Sequence, residues 1–276
     1  DDTTALQNWI NGAASSQKIA VLPPASGGYY KITSPLVISN VNGIRIMGGG
    51  GIFHNPGTTP SSCQIRQFTS GAAGIIVTNT TGSTSPPDSI HLTSIAVVAN
   101  TYSSDTNSVG IAIVGGNDDS DNCSINYCLV SGFRRGIVVA GAAILNVQGT
   151  VMCYNGDGYY QAGYWGNQLP VLNANYMANC SLSHNYSNAI YSANGRLTVE
   201  SCDLVGMTGG DGCEVYMTNA MVVLRNVNLE HTSQKPAYIV MSGGNLIVQG
   251  GMHQNMGSAG TNTYLVAMTN GASNGS

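Results

Sequence analysis

One short residue pattern recurs six times between residues 121 and 254 and constrains the fold more than any other feature. Each copy reads apolar, any residue, apolar, polar, any residue, small, any residue, apolar, and successive copies are offset by 22, 30, 22, 25 and 24 residues. Alternating apolar residues predict a strand, and a repeat of this length predicts a solenoid of stacked units. We expect the third position of each copy to stack in one core: Ile125, Val147, Met177, Val199, Leu224 and Val248.

Most units also contain a second short apolar run and close on Gly or Asn. Both residues tolerate the left-handed backbone conformation that tight corners require. Two or three short strands with such corners describe one rung of a parallel β-helix, and successive rungs stack about 4.8 Å apart. We therefore predict an all-β fold, a single-stranded right-handed parallel β-helix in which equivalent residues form columns along the solenoid.

The first residues depart from the repeat and predict a short amphipathic helix. Asp2 or Thr3 can cap its N-terminus. Its apolar face comprises Leu6, Trp9, Ile10 and Ala13. A solenoid needs its open end covered, so we expect residues 1–16 to form an N-terminal capping helix. Residues 17–276 then form one continuous β-helix domain, and because no closing segment follows the last unit we also consider the chain as a piece of a longer protein.

The composition excludes several classes of partner. Charged residues make up 8% of the chain, and nine basic residues spread thinly do not form the cationic cluster that nucleic acid binding needs. No apolar run approaches the about 18–20 residues of a membrane span, so we expect no membrane insertion. The seven cysteines include no Cys-x-x-Cys pair, and Cys128, Cys180 and Cys202 share one repeat position. We expect buried, reduced thiols in a protein made in a reducing cytosol.

The opening of the chain carries a family motif. Residues 1–7 read Asp-Asp-Thr-Thr-Ala-Leu-Gln, a strand ends in Leu-Pro-Pro at 22–24, and Tyr-Lys-Ile follows at 30–32. This motif resembles the start of the pectate-lyase-like β-helix superfamily and is most like phage tailspike and capsule-depolymerase chains. The resemblance implies a bacterial polysaccharide partner, a homotrimer, and a virion-tail or secreted, extracellular location. It does not select a reaction, because that superfamily includes lyases, glycoside hydrolases, epimerases, esterases and adhesins.

Carboxylates are few, and the columns bring Glu200, Asp203 and Glu230 onto neighbouring rungs. Carboxylates about 5–10 Å apart can cleave glycosides, because one protonates the leaving oxygen while the other attacks or activates water. Since Arg225 lies beside Glu200, we expect Glu200 to be the ionised base or nucleophile. Asp203 or Glu230 is then the acid, and the predicted function is glycoside hydrolysis of a bacterial surface glycan.

Three further residues near these carboxylates are predicted to bind substrate: His184, Arg225 and His231. Two alternatives stay open for this region. Glu200 and Arg225 can instead form an exposed ion pair of small energetic value. The active site can also lie in a groove between subunits, which one chain does not reveal.

Aromatic residues supply a second signal. Two tyrosine columns are predicted, with Tyr160, Tyr191 and Tyr216 in one and Tyr159, Tyr238 and Tyr264 beside it. Tyr164 and Trp165 lie on an insert that lengthens one unit, and we expect them to contact the ligand, because aromatic rings stack on the apolar faces of sugars. For the columns, the alternative is a stacked ladder that only stabilises the sheet or a subunit contact.

Two other functions remain possible alternatives to hydrolysis. One is a polysaccharide lyase or epimerase that uses Arg225, His231 and a tyrosine, and the other is a non-catalytic glycan-binding or structural β-helix. We prefer hydrolysis because this region offers acids rather than the base and cation that a lyase needs. We expect no cofactor and no metal site, although Asp118, Asp119 and Asp121 form an acidic turn with suitable ligands for calcium. A solvated turn is the favoured interpretation of these three residues.

Overall fold

A computed structural model shows a parallel β-helix with one short helix at its N-terminus, as the sequence predicts. The structure describes residues 1–16, 19–49, 63–78, 89–115, 122–140, 145–162, 174–205, 212–231, 237–255 and 264–269. The elements in these ranges are α1 (Thr3–Ser16), β1 (Ile19–Leu22), β2 (Tyr30–Ile32), β3 (Leu36–Ser39), β4 (Arg45–Gly48), β5 (Gln64–Gln67), β6 (Ile75–Thr78), β7 (His91–Thr93), β8 (Ala96–Ala99), β9 (Val109–Val114), β10 (Cys123–Asn126), β11 (Leu129–Ser131), β12 (Arg135–Ala140), β13 (Leu145–Gln148), β14 (Val151–Cys153), β15 (Asp157–Gln161), β16 (Ala174–Ala178), β17 (Ser181–Ser183), β18 (Ile190–Ala193), β19 (Arg196–Glu200), β20 (Asp203–Val205), β21 (Val215–Arg225), β22 (Asn228–His231), β23 (Ala237–Gln249), β24 (Met252–Asn255) and β25 (Tyr264–Met268).

Most rungs contain three strands, of which the first and third lie in a 16-stranded sheet and the second in a nine-stranded sheet. The first and third strands belong to one sheet because the long strand β21 pairs with both β18, a third strand, and β19, a first strand. In several rungs, one residue with a left-handed backbone conformation forms the corner between the first and second strands. These residues are Tyr127, Asn179, Ser201 and Asn226, with φ of 52°, 53°, 51° and 49°. The side chains on either side of this corner therefore belong to different sheets.

The predicted core column is confirmed over most of its length. The register pairs each member with the next, from Ile125 through Val147, Met177, Val199 and Leu224 to Val248. The first five side chains are at most 1% exposed, whereas Val248 is 46% exposed. The prediction of a buried Val248 is therefore wrong. The next strand, β25, pairs with the Ala237–Met241 part of β23 rather than with the part that carries Val248.

The N-terminal helix covers the first rung. Leu6 and Ile10 of α1 are buried, and Trp9 and Ala13 pack against the same core, as their spacing predicts. The helix contacts β1 and β3, the edge strands of the 16-stranded sheet. Within the described chain, no helix combines the length and the apolar character that crossing a membrane requires.

Polar residues of the opening motif satisfy backbone groups at the edge of the first rung. The amide of Gln7 donates to the carbonyl of Val37 and its oxygen accepts from the Val37 N–H, both at 2.8 Å. The carboxylate of Asp2 likewise satisfies a backbone group, because it accepts a hydrogen bond of 2.8 Å from the N–H of Lys31 in β2. The Asp2 side chain thus caps a strand edge instead of the helix N-terminus, and it protects an edge that another chain could otherwise extend.

All seven cysteines are buried and none forms a disulfide, which confirms the predicted burial of Cys128, Cys180 and Cys202. Burial raises the pKa of the Cys128 thiol to about 12 and that of Cys153 to about 11. Because disulfide reagents react with accessible thiolates and all seven sulfur-bearing side chains are buried, we expect the native protein to react negligibly in a thiol titration. Denaturant should expose all seven thiols, and rapid reaction of the native protein would contradict this expectation.

Candidate active site

The three predicted catalytic carboxylates lie on two sides of one corner. Glu200 is the last residue of β19, Asp203 is the first residue of β20, and the left-handed Ser201 turns the chain between them. Glu200 therefore belongs to the 16-stranded sheet and Asp203 to the nine-stranded sheet. Because the two residues lie on different sheets, their side chains leave the solenoid from different faces.

Asp203 and Glu230, in contrast, share one outward face. Asp203 pairs with Asn228 and Val205 with Glu230 on the adjacent rung, so the two carboxylates are diagonal neighbours. Leu204 and Leu229 between them point into the core, which confirms that both acids point outward. Two residues along a strand and one rung across it correspond to roughly 8 Å between their Cα atoms. Asp203 is exposed and Glu230 half-buried, so both are accessible to a ligand on this face.

The surroundings of Glu200 differ from those expected. Its carboxylate accepts a hydrogen bond of 2.7 Å from the hydroxyl of Tyr176, and this bond raises the pKa of the Tyr176 phenol. The exposed Arg225 donates from Nε to Gln249 on the following rung, at 3.1 Å. The expected ion pair between Glu200 and Arg225 is not formed, because the guanidinium turns toward the next rung rather than the previous one. In the described ranges, the one ion pair within 4.0 Å joins Arg134 and Asp157.

The predicted substrate-binding residues are described in part. His184 occupies a corner with φ of 55°, and its ring stacks on Tyr154 with centroids 5.3 Å apart. His231 ends β22 and pairs with Asn255 through its backbone, whereas its side chain lies outside the described part of the structure. Two other predicted groups of residues lie outside the described part of the structure altogether. These are the ligand-contact residues Tyr164 and Trp165 and the acidic turn of Asp118, Asp119 and Asp121. Among the residues that are described, no three His, Cys, Asp or Glu side chains converge on a metal position.

The first predicted tyrosine column forms a stacked ladder. Tyr160 and Tyr191 lie 4.6 Å apart with an interplanar angle of 9°, and Tyr191 and Tyr216 lie 5.3 Å apart at 4°. The guanidinium of Arg135 covers the Tyr160 ring at 3.8 Å, a cation–π contact. The second predicted column, which aligned Tyr159 with Tyr238, is wrong. The register aligns Tyr159 with Ile190, then with Val215 and then with Ile239. Tyr238 therefore lies one residue before the position in the column that it was predicted to occupy.

A polar cleft of about 370 Å³ opens beside this ladder. It is lined by Arg134, Tyr186, Ser187, Asn188, Tyr191, Gly212 and Tyr216. Behind the lining, the carboxylate of Asp157 is 2% exposed, accepts from Arg134 Nη1 at 2.7 Å and accepts from the Asn188 amide at 2.8 Å. Sequence reasoning did not single out Arg134, Asp157 or Asn188. The sequence feature that could have pointed to this cleft is the Arg134-Arg135 pair, which is unusual in a chain with so few charged residues.

The cleft follows directly from the face that carries the two carboxylates. Ser183, the last residue of β17, pairs with Val205, which in turn pairs with Glu230. The chain then turns at His184 and reaches the first lining residue of the cleft, Tyr186, two positions later. The face of Asp203 and Glu230 and the cleft therefore lie on neighbouring rungs, on either side of the corner at His184.

No protein-family model matches the chain, and comparison with curated protein sequences gives no match. Solved structures do match. The Geobacillus virus E2 ORF18 structure has a TM-score of 0.66 at 16% identity, over 97% of this chain and 57% of that one. The enzymatically active domain of bacteriophage CBA120 tailspike protein 2 has a TM-score of 0.57 at 12% identity, over 94% and 44%. Pectate lyase Pel9A has a TM-score of 0.58 at 11% identity, over 95% and 72%.

The chain spans little more than half the length of the ORF18 chain and less than half of the tailspike domain. At these identities the similarity concerns the fold, and it agrees with the resemblance in the opening motif. The chain therefore has the right-handed parallel β-helix fold of phage tailspikes and pectate lyase Pel9A.

Proposed function

We propose that this chain is a polysaccharide-processing β-helix that hydrolyses glycosidic bonds of a bacterial surface glycan. The observation that carries the proposal is the pair of outward carboxylates, Asp203 and Glu230, on adjacent rungs of a rigid sheet. A sheet holds such groups in fixed relative positions, which acid–base chemistry requires. The enzymatically active domain of a tailspike and a pectate lyase with the same fold support a carbohydrate-directed function.

The Cα atoms of the pair lie roughly 8 Å apart, and two side chains that leave one sheet face in parallel keep about this separation, so we take the reaction to be inverting. Inverting glycosidases place their carboxyl groups about 6.5–9.5 Å apart, which leaves room for a water molecule, whereas retaining enzymes need about 5–5.5 Å. One carboxylic acid gives its proton to the glycosidic oxygen as the C–O bond breaks. The other carboxylate takes a proton from the water whose oxygen bonds to the anomeric carbon. Asp203 and Glu230 supply these two roles, and Glu200 flanks them from beyond the corner.

The proposal includes the setting in which the protein acts. The partner is a bacterial capsular polysaccharide or lipopolysaccharide, the assembly is a homotrimer, and the location is a virion tail or the extracellular space. Lyase or epimerase chemistry is less well supported. It would need a cation at the site, and Arg225, which pairs with Glu200 across the rungs, donates its hydrogen bond to Gln249 instead. A non-catalytic glycan-binding β-helix is the remaining alternative, and it predicts no product.

Product analysis tests the reaction type. The protein is incubated with a panel of capsular and lipopolysaccharide glycans in water enriched in ¹⁸O, and the products are examined by mass spectrometry and NMR. We expect one ¹⁸O per cleaved bond, at the new reducing end, and inversion of the anomeric configuration in fresh product. An unsaturated sugar would indicate a lyase, retention would contradict the proposed pair geometry, and binding without product would indicate a glycan-binding protein.

A further inference from the structure

The cleft beside the tyrosine ladder is chemically distinct from the carboxylate face. Of its lining residues in the described structure, Arg134 alone carries a formal charge. That charge is matched by Asp157, which is almost fully buried and 2.7 Å away. The second oxygen of Asp157 is occupied by Asn188. The ionic groups that line the cleft therefore neutralise one another, and the nearest further charge, the guanidinium of Arg135, covers the Tyr160 ring at the end of the ladder away from Tyr216.

The middle tyrosine of the ladder, Tyr191, presents its ring edge to the cleft rather than a face. Both faces of the Tyr191 ring are covered, by Tyr160 on one side and Tyr216 on the other. Sugar stacking on the Tyr191 ring is therefore excluded, and what Tyr191 can offer a ligand is its ring edge and its hydroxyl group, beside the hydroxyl group of Tyr216. Hydroxyls can both donate and accept hydrogen bonds, which matches the hydroxyls of a sugar. Tyr186 adds a further aromatic wall, held by a ring contact of 4.8 Å with Tyr102.

The wall opposite the ladder is built from close backbone packing. A Cβ atom placed on Gly212 would overlap the carbonyl group of Ser187, so no side chain is accommodated there. The N–H of Ser187 in turn donates to the carbonyl of Gly156 at 2.6 Å, and that of Tyr186 donates to Asn155 at 2.6 Å. Backbone contacts therefore fix the shape of the cleft before any ligand binds, which lowers the entropic cost of binding.

We propose that this cleft is a subsite for an uncharged sugar residue of the polysaccharide, away from the bond that is cleaved. This inference rests on the proposed function, since it assigns the class of sugar that the polymer carries next to the cleavage point. The volume of about 370 Å³ is at the lower end of the range for small-molecule sites and suits one sugar residue rather than an extended chain. The cleft and Glu230 lie on neighbouring rungs on either side of the corner at His184, so one polymer chain that crosses this corner reaches both sites.

Ligand-observed saturation-transfer NMR on the full chain tests the subsite. The probes are methyl glycosides of glucose, galactose, mannose and rhamnose, together with those of glucuronic and galacturonic acid. We expect transfer to at least one neutral glycoside and weaker transfer to the uronic acid of the same configuration. The double substitution Tyr191→Phe and Tyr216→Phe should lower the affinity for that glycoside about tenfold, because it removes two hydroxyls while keeping the ring stack.

Tyr160→Phe is the matched control, because Tyr160 belongs to the same ladder but does not line the cleft. The affinity of this control should be unchanged. Absence of transfer to every neutral glycoside, stronger binding of the uronic acids, or an equal loss in the Tyr160→Phe variant would each overturn the inference. The outcome is separable from the proposed function, because Asp203→Asn with Glu230→Gln abolishes hydrolysis without affecting the cleft. Glycoside binding that persists in a chain that never cleaves glycans would overturn hydrolysis alone.

Discussion

Asp203→Asn and Glu230→Gln each lower the rate of polysaccharide hydrolysis by at least about a hundredfold, the usual effect of losing a general acid or base. Both replacements keep the shape of the side chain and remove its ability to transfer a proton at neutral pH. The two residues point outward from a sheet whose core is formed by neighbours such as Leu204 and Leu229, so folding should be unaffected. The measurement is the initial rate of reducing-end formation, with melting curves and glycan binding recorded for each variant.

The same variants assign the two roles. Loss of the acid is tolerated by substrates with good leaving groups, so that variant should retain activity on an aryl glycoside. Loss of the base should be rescued by added azide, which attacks the anomeric carbon without proton removal. Asp105 provides a control, because it is an exposed carboxylate on a loop of an earlier rung. Its carboxylate accepts a hydrogen bond of 2.8 Å from the N–H of Asn107. Asp105→Asn should keep the wild-type rate.

Glu200 distinguishes the site inferred from sequence from the one favoured by the structure. Because it lies beyond the corner and accepts from Tyr176, Glu200→Gln should lower hydrolysis by less than about tenfold, below the loss of an acid–base group. A hundredfold loss in Glu200→Gln together with near-normal turnover in Glu230→Gln would restore Glu200 as the base or nucleophile. Near-normal turnover in all three variants would move the site to a groove between subunits.

The rung register was predictable from sequence because two constraints act together. The side-chain period of a strand is two, and stacking repeats the same residue type at each level, so a slip of one residue would turn the core column outward. The column from Ile125 to Leu224 satisfies both constraints. The alignment failed by one residue at Tyr238, where the chain between β22 and β23 differs in length from the earlier units.

The candidate site was less predictable because it depends on directions and on loops. Columns indicate which residues are neighbours across rungs, but not that the corner at Ser201 separates Glu200 from Asp203. The register places Arg225 beside both Glu200 and Gln249, but it does not determine which of the two the exposed guanidinium contacts. The Arg134–Asp157 contact spans 23 residues and joins the ends of connections, where the repeat has no regular length.

Arg134→Met lowers the free energy of unfolding by about 3 kcal/mol, because it leaves a carboxylate that is 2% exposed without its cation. Asn188 would remain as a hydrogen-bond donor to Asp157, but a neutral amide does not replace the charge. Chemical denaturation measures the change. Arg134→Lys keeps a positive charge near Asp157 and loses the planar guanidinium, so its loss of stability should be smaller.

The double substitution Arg134→Met with Asp157→Leu isolates the cost of the unpaired charge. Removing both partners leaves no buried charge, so the double variant should be more stable than Arg134→Met alone. Each single change and the double change form a thermodynamic cycle whose coupling term measures the interaction. If Arg134→Met unfolds at the same denaturant concentration as the wild type, the pair contributes no stability, and the wall of the cleft is held by the backbone contacts of Tyr186, Ser187 and Gly212 alone.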